Sequence, residues 1–215
     1  MPLRARVAPR GALWPYLAAL LALPGCVNGL NSKIPAQQSY VLQGAPASAP
    51  TASPPGERSS ADSLEVLRPS AAPGLEREGI AVMRAGRRLD FYTDGRWAAH
   101  APAMLQALVI DSLRNAGRFA AVESDAAPFA ARYVLGLELQ HFEAVYDTPG
   151  PPHIRVALVG TLGRSSDRVV IASFTAHSEV RAEADRMQAV ITAFDQATGE
   201  ALAQLAANVA PPTSD

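Results

Sequence analysis

The sequence predicts an α+β fold, a curved antiparallel or mixed sheet with two amphipathic helices packed on one face. Three observations lead there. Residues 132–180 hold long stretches of apolar/polar alternation, the period of a half-buried strand. Two later or flanking segments, Trp97–Ala116 and Asp185–Val209, repeat their apolar residues at steps of three and four. The chain has 215 residues, 48% hydrophobic and 18% charged, enough for one core or two small ones. With 19 basic and 20 acidic side chains, it carries no broad basic face of the kind that binds nucleic acid. One cysteine excludes an intramolecular disulfide scaffold and a zinc site built on several thiolates.

The amino-terminal segment sets the compartment. Arg4, Arg6 and Arg10 precede an apolar run from Gly11 to Leu23 that ends at Pro24-Gly25-Cys26. A basic start, a short apolar core and a small-residue exit describe a secretory signal, and the core is too short for a membrane-spanning helix. Leu23-Pro24-Gly25-Cys26 resembles a bacterial lipobox, which makes Cys26 the acylated first residue of the mature chain. Acyl burial, at about 0.8 kcal/mol per methylene, then provides the membrane anchor. Processing removes three of the basic residues and none of the acidic ones, so the anchor does not rest on a polybasic patch. The expected organisation is a signal at 1–25, a lipidated tether at 26–38, a single α+β domain at 39–210 and a tail at 211–215.

Ser39–Leu42 is the first expected strand. Gln43 to Ser63 contains five Ala, five Ser, four Pro and two Gly in 21 residues, too little apolar surface to offset chain ordering, and reads as a flexible loop. Leu64–Leu67 is a short strand stopped by Pro69, and Ser70–Gly79 a turn-rich connection. Ile80–Met83 and Arg88–Tyr92 form a hairpin, with Gly86 in its turn. Thr93-Asp94-Gly95 is expected to stop that hairpin. A first helix follows, with Pro102 moving its start toward His100 or Ala101 and Asn115-Ala116-Gly117 ending it.

Phe119–Val122 reads as a strand. From Arg132 the alternation places Tyr133, Leu135, Leu137 and Leu139 on one face, then changes phase so that Phe142, Ala144 and Tyr146 continue it. A bulge near Gln140 and His141 accounts for the slip. Ile154–Leu162 and Val169–Val180 pair through a turn at Gly163–Asp167. Asp185, with Gln188 three residues on, has the pattern of a capping box for the second helix, and Pro211-Pro212 ends it.

Chemistry is sparsely signalled. His100, His141, His153 and His177 lack metal-ligand spacing, and no phosphate loop or Gly-x-Ser-x-Gly motif occurs. Ser165, Ser166 and Asp167 are turn residues. Asp90, Asp94 and Glu138 make a carboxylate set only if a fold is assumed. No catalytic residue, metal site or cofactor is expected. Trp97, packed with Phe91 and Tyr92, reads first as core, with exposure of one aromatic at a protein or lipid contact as the alternative. Tyr92, Trp97 and Arg88 are the candidate contact residues. The long strands are open to edge pairing, by self-association as readily as by a different partner.

Several motifs together resemble the ABC-type transport auxiliary lipoprotein family. They are Cys26, Ser39-Tyr40-Val41-Leu42, Leu64-Glu65-Val66 with Pro69, and Gly74-Leu75 with Ile80. Arg88-Leu89-Asp90-Phe91-Tyr92 followed by Trp97-Ala98 is the sharpest. Gly117-Arg118-Phe119, Leu137-Glu138-Leu139, Phe142, Ala193-Phe194 and Ala201-Leu202 extend the likeness along the mature chain. The 43–63 loop is longer than the family's connection. The resemblance implies a non-enzymatic lipoprotein on the periplasmic side of the outer membrane. It would accompany an ATPase, a permease and an MCE-family protein in moving phospholipids or other hydrophobic molecules between membranes. The alternative is a chaperone that holds hydrophobic cargo itself.

Overall fold

The longest strand organises the molecule. The computed structural model describes residues 37–43, 62–85 and 87–212. The signal at 1–25, Cys26, most of the tether, loop positions 44–61, Gly86 and residues 213–215 lie outside the described residues. Nine strands form one sheet: β1 (Gln38–Tyr40), β2 (Ser63–Val66), β3 (Ser70–Ala71), β4 (Gly79–Arg84), β5 (Arg88–Trp97), β6 (Ala121–Ser124), β7 (Tyr133–Tyr146), β8 (His153–Arg164) and β9 (Val170–Arg181). Among the described residues two helices accompany them, α1 (Ala101–Ala116) and α2 (Met187–Asn208).

Along one side of β7, three strands dock in succession and in parallel. β2 pairs near Tyr133, β3 at Glu138 and Leu139, and β4 from Glu143 to Tyr146. The other side of β7 takes β8 antiparallel over nearly its whole length, and β9 pairs antiparallel with β8. The hairpin partner β5 lies outside β4, with β1 parallel beside it, and β6 lies parallel outside β2. The mixed sheet follows from these short parallel pairings around one antiparallel meander.

The alternation in β7 decides which face is core. Tyr133, Leu135, Leu137 and Leu139 are buried, and after the bulge Phe142 and Ala144 take over. The ladder with β8 steps from Leu139–Leu158 to His141–Ala157, which makes Gln140 the extra residue. Without that insertion a strict period of two would turn Phe142 out of the core.

Both helices cover that face. α1 buries Leu105, Val109, Ile110 and Leu113, with Pro102 in its first turn. It ends at Gly117, whose φ of 66° is the left-handed value that glycine adopts without strain. α2 buries Val190, Ile191, Phe194, Leu202 and Leu205. Ala193, Ala197 and Ala201 are buried on the same helix and let its backbone approach closely.

Four local expectations change. β5 runs through Thr93-Asp94-Gly95 to Trp97, because Gly95, Arg96 and Trp97 pair with β1 and Arg96 also pairs with Gly79 of β4. Ladder pairing there outweighs the turn preference of Asp and Gly. Ser70–Ala71, read as connection, is a two-residue strand. The strand placed at Phe119 begins at Ala121, and Phe119 packs edge-on to the Tyr133 ring at 6.1 Å. Asp185 does not cap α2. Arg186 occupies the N-cap position without a side-chain bond, while the Asp185 carboxylate accepts from Tyr146.

Candidate docking site at the β4–β5 hairpin

The three contact candidates all lie on β5, and the structure separates them. Trp97 is 1% exposed. Its ring lies 5.4 Å from Phe142 and 5.1 Å from Phe194, which are themselves 5.1 Å apart, centroid to centroid. These three rings join β5, β7 and α2, and each such pair contributes about 0.5–1.5 kcal/mol beyond its buried area. Trp97 is therefore core, which leaves aside the alternative of a surface contact, and its indole N–H has no acceptor among the described residues. That orphan donor costs roughly 1–3 kcal/mol, which the ring packing offsets.

Tyr92 and Arg88 belong to a surface network instead. The Tyr92 and Tyr146 hydroxyls are 2.9 Å apart, and Tyr146 donates to Asp185 Oδ1 at 2.6 Å. Because the Tyr146 proton is committed to the carboxylate, Tyr92 is the donor in the first bond. Arg84 lies over the Tyr146 ring at 5.0 Å and approaches Asp90 Oδ2 at 3.4 Å. Arg88 reaches the same carboxylate oxygen at 2.9 Å while its side chain is 69% exposed. Arg87, in the turn, adopts a φ of 61°, a left-handed conformation that costs a residue with a Cβ about 1–2 kcal/mol. The hairpin end thus presents Arg84 and Arg88 at Asp90, with Arg87 exposed in the adjoining turn.

The electrostatics keep both phenols protonated. Burial raises the Tyr92 pKa from its ordinary 10.0, with Asp185 and Asp94 pushing the same way and Arg84 opposing them. Tyr146 is pushed further above the usual phenol range, by burial first and then by its bond to Asp185. Such groups are permanent donors, suited to holding a surface in shape and unsuited to proton transfer near neutral pH.

Sequence reasoning found Tyr92 and Arg88 but missed Arg84, Tyr146 and Asp185 as their partners. Parallel pairing of β4 on β7 sets Arg84 beside Tyr146, and no local motif encodes a contact between residues so far apart in the chain.

The histidines do not converge. His141 and His177 both pair with Ala157, from opposite sides of β8, so about 10 Å of sheet separates them. His141 Nδ1 is 2.8 Å from Glu143 Oε1, and His153 Nδ1 is 3.4 Å from Asp147. Among the described residues no group of three or more His, Cys, Asp or Glu could hold a metal ion, and no described helix is long and apolar enough to cross a membrane. Asp167 is a turn residue, bonded to Arg164 and to the Val169 N–H.

On the sheet face away from the helices lies an open depression of about 430 Å³, lined by Glu65, Val134, Gly136, Thr161, Gly163 and Arg168 among others. Gly136 leaves its floor low, since a methyl group added there would meet nothing nearer than the Thr161 carbonyl at 3.9 Å.

Comparison with known proteins supplies the family. No curated protein matches the sequence. A crystallised protein from Xanthomonas campestris is 26% identical and superposes with a TM-score of 0.64, over 79% of this chain and 91% of that one. A crystal structure of an uncharacterized protein superposes with a TM-score of 0.59 at 14% identity, over 80% of this chain and 97% of the other. The family model for the ABC-type transport auxiliary lipoprotein component matches residues 40–210, which spans both helices and all strands but the outermost part of β1. The chain belongs to the ABC-type transport auxiliary lipoprotein family, whose members serve ABC transport as non-enzymatic components.

Proposed function

We propose that this lipoprotein docks an MCE-linked ABC-type lipid transport system at the outer membrane, held there by acyl chains on Cys26. The ATPase of that system provides the energy, and this chain provides position. The observation that favours the hairpin end as the docking surface is its three exposed arginines, Arg84, Arg87 and Arg88, with Arg84 seated on the Tyr146 ring that Tyr92 and Asp185 hold in place. A rigid cationic surface suits an acidic face of the MCE protein, because charge pairs at an interface steer encounter and fix register. Self-association of the chain is compatible with this role.

The test is recovery of the acylated full chain from crosslinked envelopes, comparing wild type with R87E/R88E. Recovery of an MCE-family protein is expected to fall at least tenfold in the variant. Equal recovery would remove the hairpin from the interface, and no MCE protein in either sample would remove the docking role.

A second reading is that the chain itself holds a hydrophobic cargo. The open depression over Gly136 and Gly163 favours it. Lipid crosslinks at Thr161, with none to protein, would support that reading over docking.

A further inference from the structure

Two outer strands of this sheet, β9 and β6, carry backbone groups that could pair with another chain, and the helices reach over to occupy some of them. β9 is 12 residues long and, among the described residues, pairs with β8 alone. At His177 its outward N–H donates to Gln204 Oε1 at 3.1 Å, and its C=O accepts from Gln204 Nε2 at 2.9 Å. A carboxamide has the donor and acceptor of a peptide group. Its paired bonds to His177 reproduce what one residue of an added antiparallel strand would make. The helix is pinned in place one turn earlier, where Ser178 Oγ donates to Glu200 Oε2 at 2.6 Å. Asn208 Nδ2 donates to the Gln204 carbonyl at 2.8 Å one turn later.

On the other side of β7, where β1 and β6 are both outermost, β6 repeats the arrangement. On β6, the Val122 carbonyl accepts from Arg114 Nε of α1 at 2.9 Å, and Arg114 Nη2 reaches Glu123 at 3.1 Å. Each helix therefore sends one long polar side chain onto the backbone of the edge strand nearest to it.

We propose that Gln204 and Arg114 are edge guards, which deny β9 and β6 to strand addition by a second copy of the chain. Exposed edges are where sheets extend into aggregates or swapped assemblies. Val169 and Val170, exposed at the start of β9, would favour such addition if the backbone beyond them were free. Gln204 interrupts that edge at His177, so no added strand can run the full length of β9.

The acylated full chain in detergent tests this through two substitutions at Gln204, which lies on the exposed side of α2. Gln204→Met keeps the length and helix preference but forms neither bond. Gln204→Lys has no acceptor for the His177 N–H, and it leaves a charge beside the strand, which opposes addition. Hydrogen exchange at the His177 amide is expected to accelerate at least tenfold in both. Native mass spectrometry is expected to show a several-fold rise in assemblies larger than wild type for Gln204→Met, growing with concentration, and none for Gln204→Lys. Unchanged exchange, unchanged assembly in Gln204→Met, or equal association of both variants would each overturn the proposal.

Discussion

Replacing Tyr146 with phenylalanine removes one oxygen and both hydrogen bonds that it bridges. The bond to Asp185 is short, at 2.6 Å, and charge-assisted. In a shielded setting such a bond contributes roughly 1.5–3 kcal/mol. Asp185 is exposed, so water replaces much of it and about 1 kcal/mol remains. The half-buried Tyr92 hydroxyl also loses its acceptor, costing about 1 kcal/mol more. Y146F should therefore destabilise the protein by about 2 kcal/mol in urea unfolding. Y92F, which leaves the Tyr146–Asp185 bond intact, should cost about 0.5–1 kcal/mol. The double variant should cost no more than Y146F alone, because it strands no hydroxyl. Both phenols have raised pKa values in the fold. The unfolded chain therefore releases their protons first as pH rises. The network's contribution is present below about pH 10 and is lost above it, and Y146F should flatten that loss. A cost below about 0.5 kcal/mol for Y146F, or strict additivity in the double variant, would refute the network.

The other expectations concern packing and charge. W97A should cost about 3–5 kcal/mol by emptying the aromatic cluster, whereas W97F should cost clearly less, because it also removes the orphan indole N–H; thermal or urea unfolding compares them. G160A should destabilise by about 1–3 kcal/mol, since its methyl would run into the Phe174 ring, while G136A should be neutral or better because its nearest neighbour is 3.9 Å away. Burial raises the Asp195 pKa, opposed by the Gln43 N–H. The folded state thus holds that proton more tightly than the unfolded chain, and stability falls as pH rises through the carboxylate range. D195N, which keeps an oxygen acceptor, should be more stable than wild type at neutral pH, with the gain shrinking in acid. Equal stability at pH 7 would contradict this.

How far the sequence carried the fold depended on whether a feature was local. The phase change between Leu139 and Phe142 was readable as a bulge because a period of two tolerates no other explanation for a buried Phe142. Pro102 and Gly117 marked the ends of α1 through their own backbone limits. The site was half legible. Arg88 and Tyr92 stood out beside an aromatic run, but their partners depend on the parallel seating of β4 on β7, which periodicity does not specify. Asp185 carried the signature of a cap and instead accepts a phenol proton from β7. Tertiary hydrogen bonding won over the local pattern there. Trp97 was ambiguous for a different reason: a large amphipathic ring suits a core and an interface equally, and only its seat between Phe142 and Phe194 decides. Gln204 gave no signal, because a glutamine on the wet side of a helix looks the same whether or not a strand edge lies within reach.

Site-specific photocrosslinking in native envelopes tests the central claim most directly, with the probe at Arg88 in one strain and at Thr161 in another. Docking through the hairpin requires adducts at Arg88 with an MCE-family protein, identified by mass spectrometry, and few at Thr161. Adducts with lipid at Thr161 and none with protein at Arg88 would contradict it.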